Sequence, residues 1–319
     1  MAIPGGSGTF TSFGLNSLSG TNAAFIGSGS ASQGVYQCHP GDPCRLVADT
    51  GTAIPSGGLF TGFDQPWVSG TTTAFLGFGS SGTTGVYVCH PSDPCQPVAT
   101  TSAAIPAGSG AFNTFTAVAV DGTSTAFVAG NSTIACSIDP PTCSQQYTQQ
   151  GVYVNFPPNP VTPVAGLTAA VPAGVGTFTG FGAVAIDPNY VVFVGFSSDG
   201  KGGTVTGLYT TLTGALSKIV ATGDAINGKT ISTINFGPGG FSENQIVIEA
   251  DFTDGSQAIA ATTINFNRCP QTQGSWKNHV SQWPVKTLVL GNQNYSQADL
   301  LNRLGTSSTS DAACCWRGS

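Results

Sequence analysis

The sequence predicts an all-β fold, a β-propeller of about five four-stranded blades followed by a short mixed C-terminal tail. One series of motifs begins at position 2 and returns from positions 53, 104 and 170. Each copy holds four short apolar runs separated by Gly, Ser and Asn. A period of roughly 50 residues with four such runs is typical of one propeller blade per repeat.

The order within a repeat is clearest in the first copy. It reads AIPGGSGTFTSF over 2–13, AAFIG over 23–27, GVY over 34–36 and LVADT over 46–50. These runs are short, β-branched and aromatic, which favours antiparallel strands over helices. The repeats lie near 2–52, 53–103, 104–169 and 170–225, with a divergent fifth unit at 226–266 and a docking tail at 267–319.

Two phenylalanines recur three residues apart in each of the first four repeats. We expect them to be apolar plugs between neighbouring blades, because aromatic side chains that recur so regularly are usually core residues. The pairs are Phe10 and Phe13, Phe60 and Phe63, Phe112 and Phe115, and Phe178 and Phe181.

The third and fifth repeats depart from the pattern. The third carries an insertion between Phe127 and Val152, which we expect to be a loop on one face, since propellers tolerate insertions there. The fifth supplies three strands, near 230–236, 245–251 and 258–264. It has no obvious counterpart of the outer strand that ends the other repeats.

The repeat motifs resemble the blades of a poorly characterised group of secreted bacterial β-propeller proteins. The resemblance covers about residues 2–266 and includes the fifth unit, whose stretches 224–230 and 252–256 are similar to the closing repeat of that group. It implies a propeller fold and an extracellular address, and it implies no activity.

The tail resembles a segment that is separate from the propeller repeats. Residues 272–279, TQGSWKNH, are similar to a C-terminal T-Q-G-aromatic-W-K-N-H-P segment found on exported bacterial proteins, with Ser275 in place of the aromatic residue and Val280 in place of the proline. Further on, Ser296 to Asp299 is typical of a capping arrangement, so we expect a helix of two or three turns to begin there.

Composition indicates which partners and which cellular compartment the protein can have. Only 8% of residues are charged, the net charge is −6 and no basic cluster is present, which argues against nucleic acid as a partner. No apolar run approaches the ~20 residues of a membrane span. A surface of hydroxyls and amides suits secreted walls, fibres and glycosylated proteins. The chain opens inside a repeat without a leader, and we expect a leader to be missing from this form of a secreted protein.

Nine cysteines give a second indication of export. Two loops, CHPGDPC at 38–44 and CHPSDPC at 89–95, occupy the same place in repeats one and two. Zinc is an alternative, because each loop holds Cys, His and Asp. Disulfides are favoured, since the prolines stiffen the loop and the flanking strands place the thiols opposite each other. The predicted disulfide cysteines are Cys38, Cys44, Cys89, Cys95, Cys136 and Cys143. Cys269, Cys314 and Cys315 are candidates for a bridge within the tail or between subunits.

No catalytic, metal or cofactor site is predicted. The chain has three histidines and two glutamates, and the two loop histidines, His39 and His90, are repeat equivalents, whereas a catalytic triad is used once. Paired carboxylates and a calcium loop are no better supported. Sequons at Asn131 and Asn294 are candidate glycosylation sites.

The unfinished fifth blade leads to a functional hypothesis. An unpaired strand edge accepts another strand, which could come from residues 286–291 of the same chain or of a neighbour. If a neighbour donates, head-to-tail contacts build a fibre or surface layer of copies of this protein. The docking residues would be Trp276, His279, Trp283, Leu288, Val289 and Leu290.

Two other readings stay open. In one, the tail folds back on its own fifth blade and the chain does not assemble. In the other, the protein is a carbohydrate-binding or adhesion module that uses Tyr147 and the glutamines of the insertion, which are Gln145, Gln146, Gln149 and Gln150.

Overall fold

The computed structural model describes residues 2–263 except 31, 56, 92, 139–140, 188–189, 212–213, 238 and 243–244, and in the tail residues 287–290, 293–296 and 298–299. At 135–138, 141–142, 287–290 and 293–295 it describes the backbone alone. The chain divides into two compact units, Met1–Ile264 and Asn265–Ser319. Each unit is described by itself.

The first unit is an array of antiparallel sheets of the β-propeller type, one for each repeat. The first sheet has the order β1-β2-β3-β4, and the next three follow the same plan. The strands of the first two sheets are β1 Ser12–Ser19, β2 Asn22–Ser28, β3 Gln33–Cys38, β4 Arg45–Asp49, β5 Phe60–Ser69, β6 Thr72–Gly79, β7 Thr84–Cys89 and β8 Gln96–Thr100. Those of the third and fourth are β9 Thr114–Asp121, β10 Ser124–Ile138, β11 Pro141–Asn155, β12 Thr162–Gly166, β13 Phe178–Asp187, β14 Tyr190–Ser198, β15 Thr204–Thr210 and β16 Ser217–Ala221.

The fifth sheet differs from the other four, as the sequence indicated. Its three long strands are β18 Lys229–Asn235, β20 Gln245–Phe252 and β21 Gln257–Thr263, and two-residue strands β17 Ala225–Ile226 and β19 Phe241–Ser242 are added to them. Strands β17 and β18 are joined by Asn227-Gly228, both with positive φ, which is the backbone that a two-residue hairpin turn requires. The fifth sheet therefore does not follow the order of four consecutive strands that the complete blades share.

The insertion of the third repeat is not the loop that the sequence predicted. It lengthens β10 and β11 to 15 residues each and pairs them from Thr125↔Asn155 to Ile138↔Pro141, with one bulge after Asn131. Beyond Gly130 and Gly151 neither strand has a neighbour on its other side among the described residues. The extra residues include Thr133, Ile134, Tyr147 and Thr148, and β-branched and aromatic residues of this kind favour extended strands.

The apolar core lies between successive sheets, where the phenylalanine plugs were predicted. Each of the first four repeats brings three phenylalanines and the tyrosine of its G-x-Y motif into one cluster, with ring centroids 4.8–6.1 Å apart. In the second sheet these residues pack on Ile26, Val35 and Ala48 of the first. The third and fourth sheets pack on the sheets before them in the same way. Each blade thus has an aromatic face toward the preceding blade and a small aliphatic face toward the following one.

This packing explains two recurring glycines, of which one stands in all four repeats and the other in three, with Ala129 in its place in the third sheet. A Cβ added at Gly77 would lie 2.6 Å from Phe60 Cε1 and 2.8 Å from Tyr87 Cδ2, so the aromatic rings occupy the space of the missing side chain. In the G-x-Y motif the tyrosine side chain covers the glycine two residues earlier. A Cβ added at Gly151, for example, would lie 3.0 Å from the Tyr153 hydroxyl oxygen. The aromatic rings therefore leave room for only a small residue at these two places.

The second unit contains a short hairpin. Strand β22 Thr287–Leu290 pairs antiparallel with β23 Gln293–Ser296. The predicted capping arrangement is present: the Ser296 backbone N–H donates to Asp299 Oδ2 at 2.8 Å, and the Asp299 N–H donates to Ser296 Oγ at 3.3 Å. Residues 298 and 299 are helical, and the rest of the predicted helix lies outside the described residues.

Candidate assembly surfaces

The outer edge of the fifth sheet is open among the described residues. Strands β4, β8, β12 and β16 form the last strand of the four complete sheets. In the fifth sheet, β21 pairs with β20 along its full length, from Gln257↔Asp251 to Thr263↔Gln245, and no described residue pairs with its other edge. Its side chains are largely exposed, with Ile259 at 72%. The edge offers a row of backbone donors and acceptors to an added strand.

The segment expected to donate a strand contains β22, which forms half of a hairpin. Leu288, Val289 and Leu290 lie on β22, whose pairing with β23 uses one of its two edges. The other predicted docking residues, Trp276, His279 and Trp283, lie outside the described residues, as do Cys269, Cys314 and Cys315. The backbone of Asn294 is part of β23.

The aromatic face of the first sheet is a second open surface, and the sequence did not predict it. Phe13 is 61% exposed, whereas the residues in the same place in the next three sheets are 5–7% exposed. Leu18 is 69% exposed against 1–5% for its counterparts. The counterparts are Phe63, Phe115 and Phe181 for Phe13, and Val68, Val120 and Ile186 for Leu18. The difference arises because the other three faces are each covered by a preceding sheet.

Glutamine side chains connect neighbouring sheets at the residue before the G-x-Y motif. Gln150 is 4% exposed, and its Oε1 accepts a hydrogen bond from the Phe181 backbone N–H at 2.9 Å. Gln33 does the same for the Phe63 N–H at 3.3 Å. At the boundary between the second and third sheets, Gln65 Nε2 donates to the Thr116 carbonyl at 2.6 Å. These bonds fix the position of each sheet on the one before it.

The carbohydrate surface predicted on the insertion is only partly free. Gln150 is used between sheets, and Gln149 binds the loop at Ser109, accepting from its N–H at 3.1 Å and donating to its Oγ at 2.8 Å. Exposed Gln145 and Gln146 and half-buried Tyr147 remain on the ribbon. At the sequon, half-buried Asn131 donates from Nδ2, the atom that a glycan would modify, to the Ala111 carbonyl at 3.0 Å.

The matched cysteine loops close as disulfides. Cys38–Cys44 and Cys89–Cys95 have Cα separations of 4.1 and 4.2 Å. Cys143 is also disulfide-bonded, and the backbone register places it opposite Cys136, whose side chain lies outside the described ones. The loop histidines have local partners: His39 Nδ1 lies 3.5 Å from Asp42 Oδ2, and His90 Nδ1 lies 3.1 Å from Thr72 Oγ1. Disulfides indicate an oxidising compartment outside the cytoplasm.

The two disulfides differ in burial, and this predicts different contributions to stability. Cys89 and Cys95 are 2% and 7% exposed and belong to the apolar cluster between the first two sheets, whereas Cys38 and Cys44 are half-buried. Replacing either pair with alanine removes about 2 kcal/mol of loop restriction in the unfolded chain. We expect the Cys89→Ala/Cys95→Ala variant to lose more, because it also leaves unfilled space between sheets.

Guanidinium unfolding of both double variants measures this difference, and each serves as the control for the other. Equal losses would contradict the packing contribution of the second disulfide.

A cleft of about 720 Å³ separates the fourth and fifth sheets. Its lining includes Val194, Phe196, Phe236 and Ile259. Glu249 is the one carboxylate among the described lining residues, and its Oε2 accepts from Asn235 Nδ2 at 3.3 Å. Apolar side chains and glycine backbone dominate this surface. The lining residues that the structure describes bring together no nucleophile, base and oxyanion donor of the kind that catalysis requires.

Titratable groups with altered pKa values occupy separate turns and core positions. Hydrogen bonds from the Ser256 hydroxyl and N–H, together with Lys229, hold the pKa of Asp254 well below its usual value. Burial raises the pKa of Tyr153. Among the residues that the structure describes, no group of three His, Cys, Asp or Glu side chains is placed to hold a metal ion. No helix in the described part of the chain is long and apolar enough to cross a membrane.

Comparisons with known proteins give likeness of fold only. No protein-family profile matches the chain, and no curated protein matches it. Among solved structures, TolB from Acinetobacter baumannii has a TM-score of 0.40 and 12% identity, over 76% of this chain and 51% of TolB. An uncharacterised protein from Listeria monocytogenes has a TM-score of 0.41 and 10% identity, over 82% and 65%.

The β-propeller domain of the Trilobed protease from Pyrococcus furiosus covers 81% of this chain and 97% of that domain, with a TM-score of 0.26 and 10% identity. The chain spans about half the length of TolB. At these scores the likenesses carry no argument about what the chain binds or does.

Proposed function

We propose that this protein is a secreted bacterial structural subunit that assembles head to tail into a fibre or surface layer. The observation that supports the proposal most strongly is the open outer edge of β21, in a fold whose other four sheets each end in a fourth strand. A strand from a neighbouring copy would pair with this edge through backbone hydrogen bonds. Because donor and acceptor are different surfaces, the contact is heterologous, and a rotation between copies that does not close into a ring builds a filament.

The donor in this proposal is the segment around β22. A four-residue strand with three consecutive large aliphatic residues, Leu288 to Leu290, supplies both backbone groups and apolar side chains. Within the described part of the tail, pairing with β23 leaves one edge of β22 for the neighbour. Trp276, His279 and Trp283 would add contacts beside the strand, and a bridge through Cys269, Cys314 or Cys315 would make the joint covalent.

The low fraction of charged residues and the two disulfide-closed loops are consistent with a subunit that functions outside the cell. Only 8% of the residues are charged, so copies approach one another with little repulsion. The disulfide loops stiffen two hairpins at the protein surface. In this proposal glycans at Asn131, Asn294 or the Ser- and Thr-rich loops would cover the outside of the assembly. The protein carries out no reaction and needs no cofactor.

Negative-stain electron microscopy of the purified full chain tests the proposal. We expect regular fibres from the unmodified protein and none from the Leu288→Lys/Leu290→Lys variant, since charged side chains on the donor strand cannot be buried in the joint. The control is Val175→Lys, because Val175 is 61% exposed and lies in a turn of the fourth repeat. It should form fibres as the unmodified chain does.

Non-reducing electrophoresis of the same fibres reports whether a covalent bridge joins the subunits. An unmodified protein that stays monomeric at every concentration would overturn the assembly proposal.

A binding or adhesion module is the second candidate, supported by the protruding ribbon of β10 and β11. Exposed Gln145, Gln146 and Ile134 and half-buried Tyr147 lie on its two strands. Glycan-array binding that is lost in a Tyr147→Ala variant, with no self-association, would favour this function. It ranks second because Gln149 and Gln150 are held by other parts of the protein.

A further inference from the structure

We propose that the cleft between the fourth and fifth sheets receives the Trp283 side chain from the tail of a neighbouring copy. This inference rests on the proposed head-to-tail assembly, and it identifies a side-chain contact that accompanies strand addition at β21. The cleft has a volume of about 720 Å³. Ile259, on the open strand β21, is one of its lining residues, so the cleft and the open edge form one continuous surface.

The fifth sheet lacks the four aromatic rings that fill the other three boundaries between sheets. The register of its strands places smaller aliphatic residues at all four ring positions. In place of Phe178, Phe181, Phe193 and Tyr209 of the fourth sheet, these residues are Ile231, Ile234, Ile248 and Ala260. Ile234 and Ile248 line the cleft. The missing ring volume is therefore the physical origin of the cleft.

The lining of the cleft suits an aromatic ring that carries a hydrogen-bond donor. Half-buried Phe196 and buried Phe236 offer ring faces and edges for aromatic packing. The Glu249 carboxylate also lines the cleft, with Asn235 as a donor to Oε2. A purely apolar occupant would bury this carboxylate with too few donors, which is unfavourable. An indole side chain supplies both a ring and an N–H group.

The tail is rich in the side chain that the cleft lacks. Three of the four tryptophans of the chain lie there, at Trp276, Trp283 and Trp316. Trp283 stands five residues before Leu288, a span of at most about 17 Å in extended chain, so it is the tryptophan nearest the donor strand. Lys286 follows it and brings one positive charge to a cleft that has one described carboxylate.

Chain direction also carries Trp283 toward the cleft. The last strand of each complete sheet runs antiparallel to the strand beside it, and we expect the same of a donor on β21. Residues that precede such a donor continue past the Thr263 end of β21. Near this end Val247 lies opposite Ala261 and donates its N–H to the Gly240 carbonyl at 2.8 Å. Val247 and Gly240 both line the cleft.

A double-mutant cycle measured by isothermal titration calorimetry tests the contact. The receiving protein is the full chain carrying Leu288→Lys/Leu290→Lys, which should not assemble, and the probe is a synthetic peptide of residues 281–292. Trp283→Ala in the peptide should raise the dissociation constant at least about tenfold. Ile234→Phe in the protein restores the ring of the other sheets, fills the cleft and should raise the constant similarly. With the cleft filled, Trp283→Ala should have no further effect.

Val175→Phe is the matched control for Ile234→Phe, because it adds the same ring at a turn where Val175 is 61% exposed. It should leave the affinity for the peptide unchanged, and neither substitution should lower the unfolding temperature. The peptide substitution requires no change in the receiving protein, so it decides the question even if Ile234→Phe prevents folding.

Four results would overturn the contact. Peptide binding that is unaffected by Trp283→Ala, or no peptide binding although the unmodified protein forms fibres, would remove this contact and leave the assembly proposal standing. No peptide binding together with no fibres would remove both. Tighter peptide binding after Trp283→Ala in the receiving protein would show that the chain's own tail fills the cleft, which contradicts a contact between copies.

Discussion

Phe181→Ala is expected to destabilise the first unit by about 3–5 kcal/mol. Phe181 is 5% exposed, and its ring lies 5.1 Å from Phe178 and 5.7 Å from Phe193, against the aliphatic face of the third sheet. Alanine would leave a cavity between two sheets that are held in position on several sides, so the site has little freedom to collapse. Equilibrium unfolding in guanidinium, followed by tryptophan fluorescence, measures the loss.

Phe13→Ala is the matched control, because Phe13 occupies the same position in the first sheet. With 61% of its surface already in water, its removal creates no enclosed cavity, and we expect a loss of about 1 kcal/mol or less in dilute, monomeric protein. Equal losses for Phe13→Ala and Phe181→Ala in the monomer would show that the first face is covered within the chain.

Gly77→Ala is expected to cost about 1–3 kcal/mol, although alanine usually stabilises a strand relative to glycine. The new methyl group would lie 2.6 Å from Phe60 Cε1 and 2.8 Å from Tyr87 Cδ2. Both rings are fully buried and belong to the aromatic cluster of the second sheet, with centroids 4.9 Å apart. In the third sheet Ala129 occupies this place, and the ring pairs that lie 5.3 and 5.7 Å apart in the second sheet lie 6.1 Å apart there. The rings of the second sheet would have to separate in the same way, which disturbs their contact with the first sheet. Thermal unfolding followed by far-ultraviolet circular dichroism measures the shift.

Gly237→Ala is the control for this overpacking. No atom lies within 4 Å of the Cβ position at Gly237, and its φ is not in the left-handed region. The substitution should change the free energy of unfolding by no more than about 0.5 kcal/mol. A loss at Gly77 as small as at Gly237 would show that the aromatic cluster is loosely packed.

The repeat pattern predicted most of the fold because each motif has a local physical cause. The F-x-x-F pairs, the glycines under the rings and the G-x-Y tyrosines constrain one another within a single sheet, so the sequence of one repeat contains the information for one blade. The three long strands of the fifth sheet and the Ser296–Asp299 cap were likewise predicted from local signals.

The features that the sequence could not predict depend on contacts between different repeats and on strand register. The motif in the first repeat is the same as in the others, so nothing in it distinguishes exposed Phe13 from buried Phe63. The insertion was expected to be a loop because its polar composition concealed the register that extends β10 and β11. The cross-sheet bond from Gln150 to Phe181 was missed for the same reason, since it joins residues from two repeats.

Amide hydrogen exchange along β21, residues 257–263, tests the central claim most directly. In dilute protein we expect the amides that point away from β20 to exchange rapidly, because no described residue pairs with that edge. In assembled protein the same amides should become protected, and the Leu288→Lys/Leu290→Lys variant should show no such protection at any concentration. Protection already complete in the dilute monomer, or fibres in which these amides still exchange rapidly, would contradict strand addition at the fifth sheet.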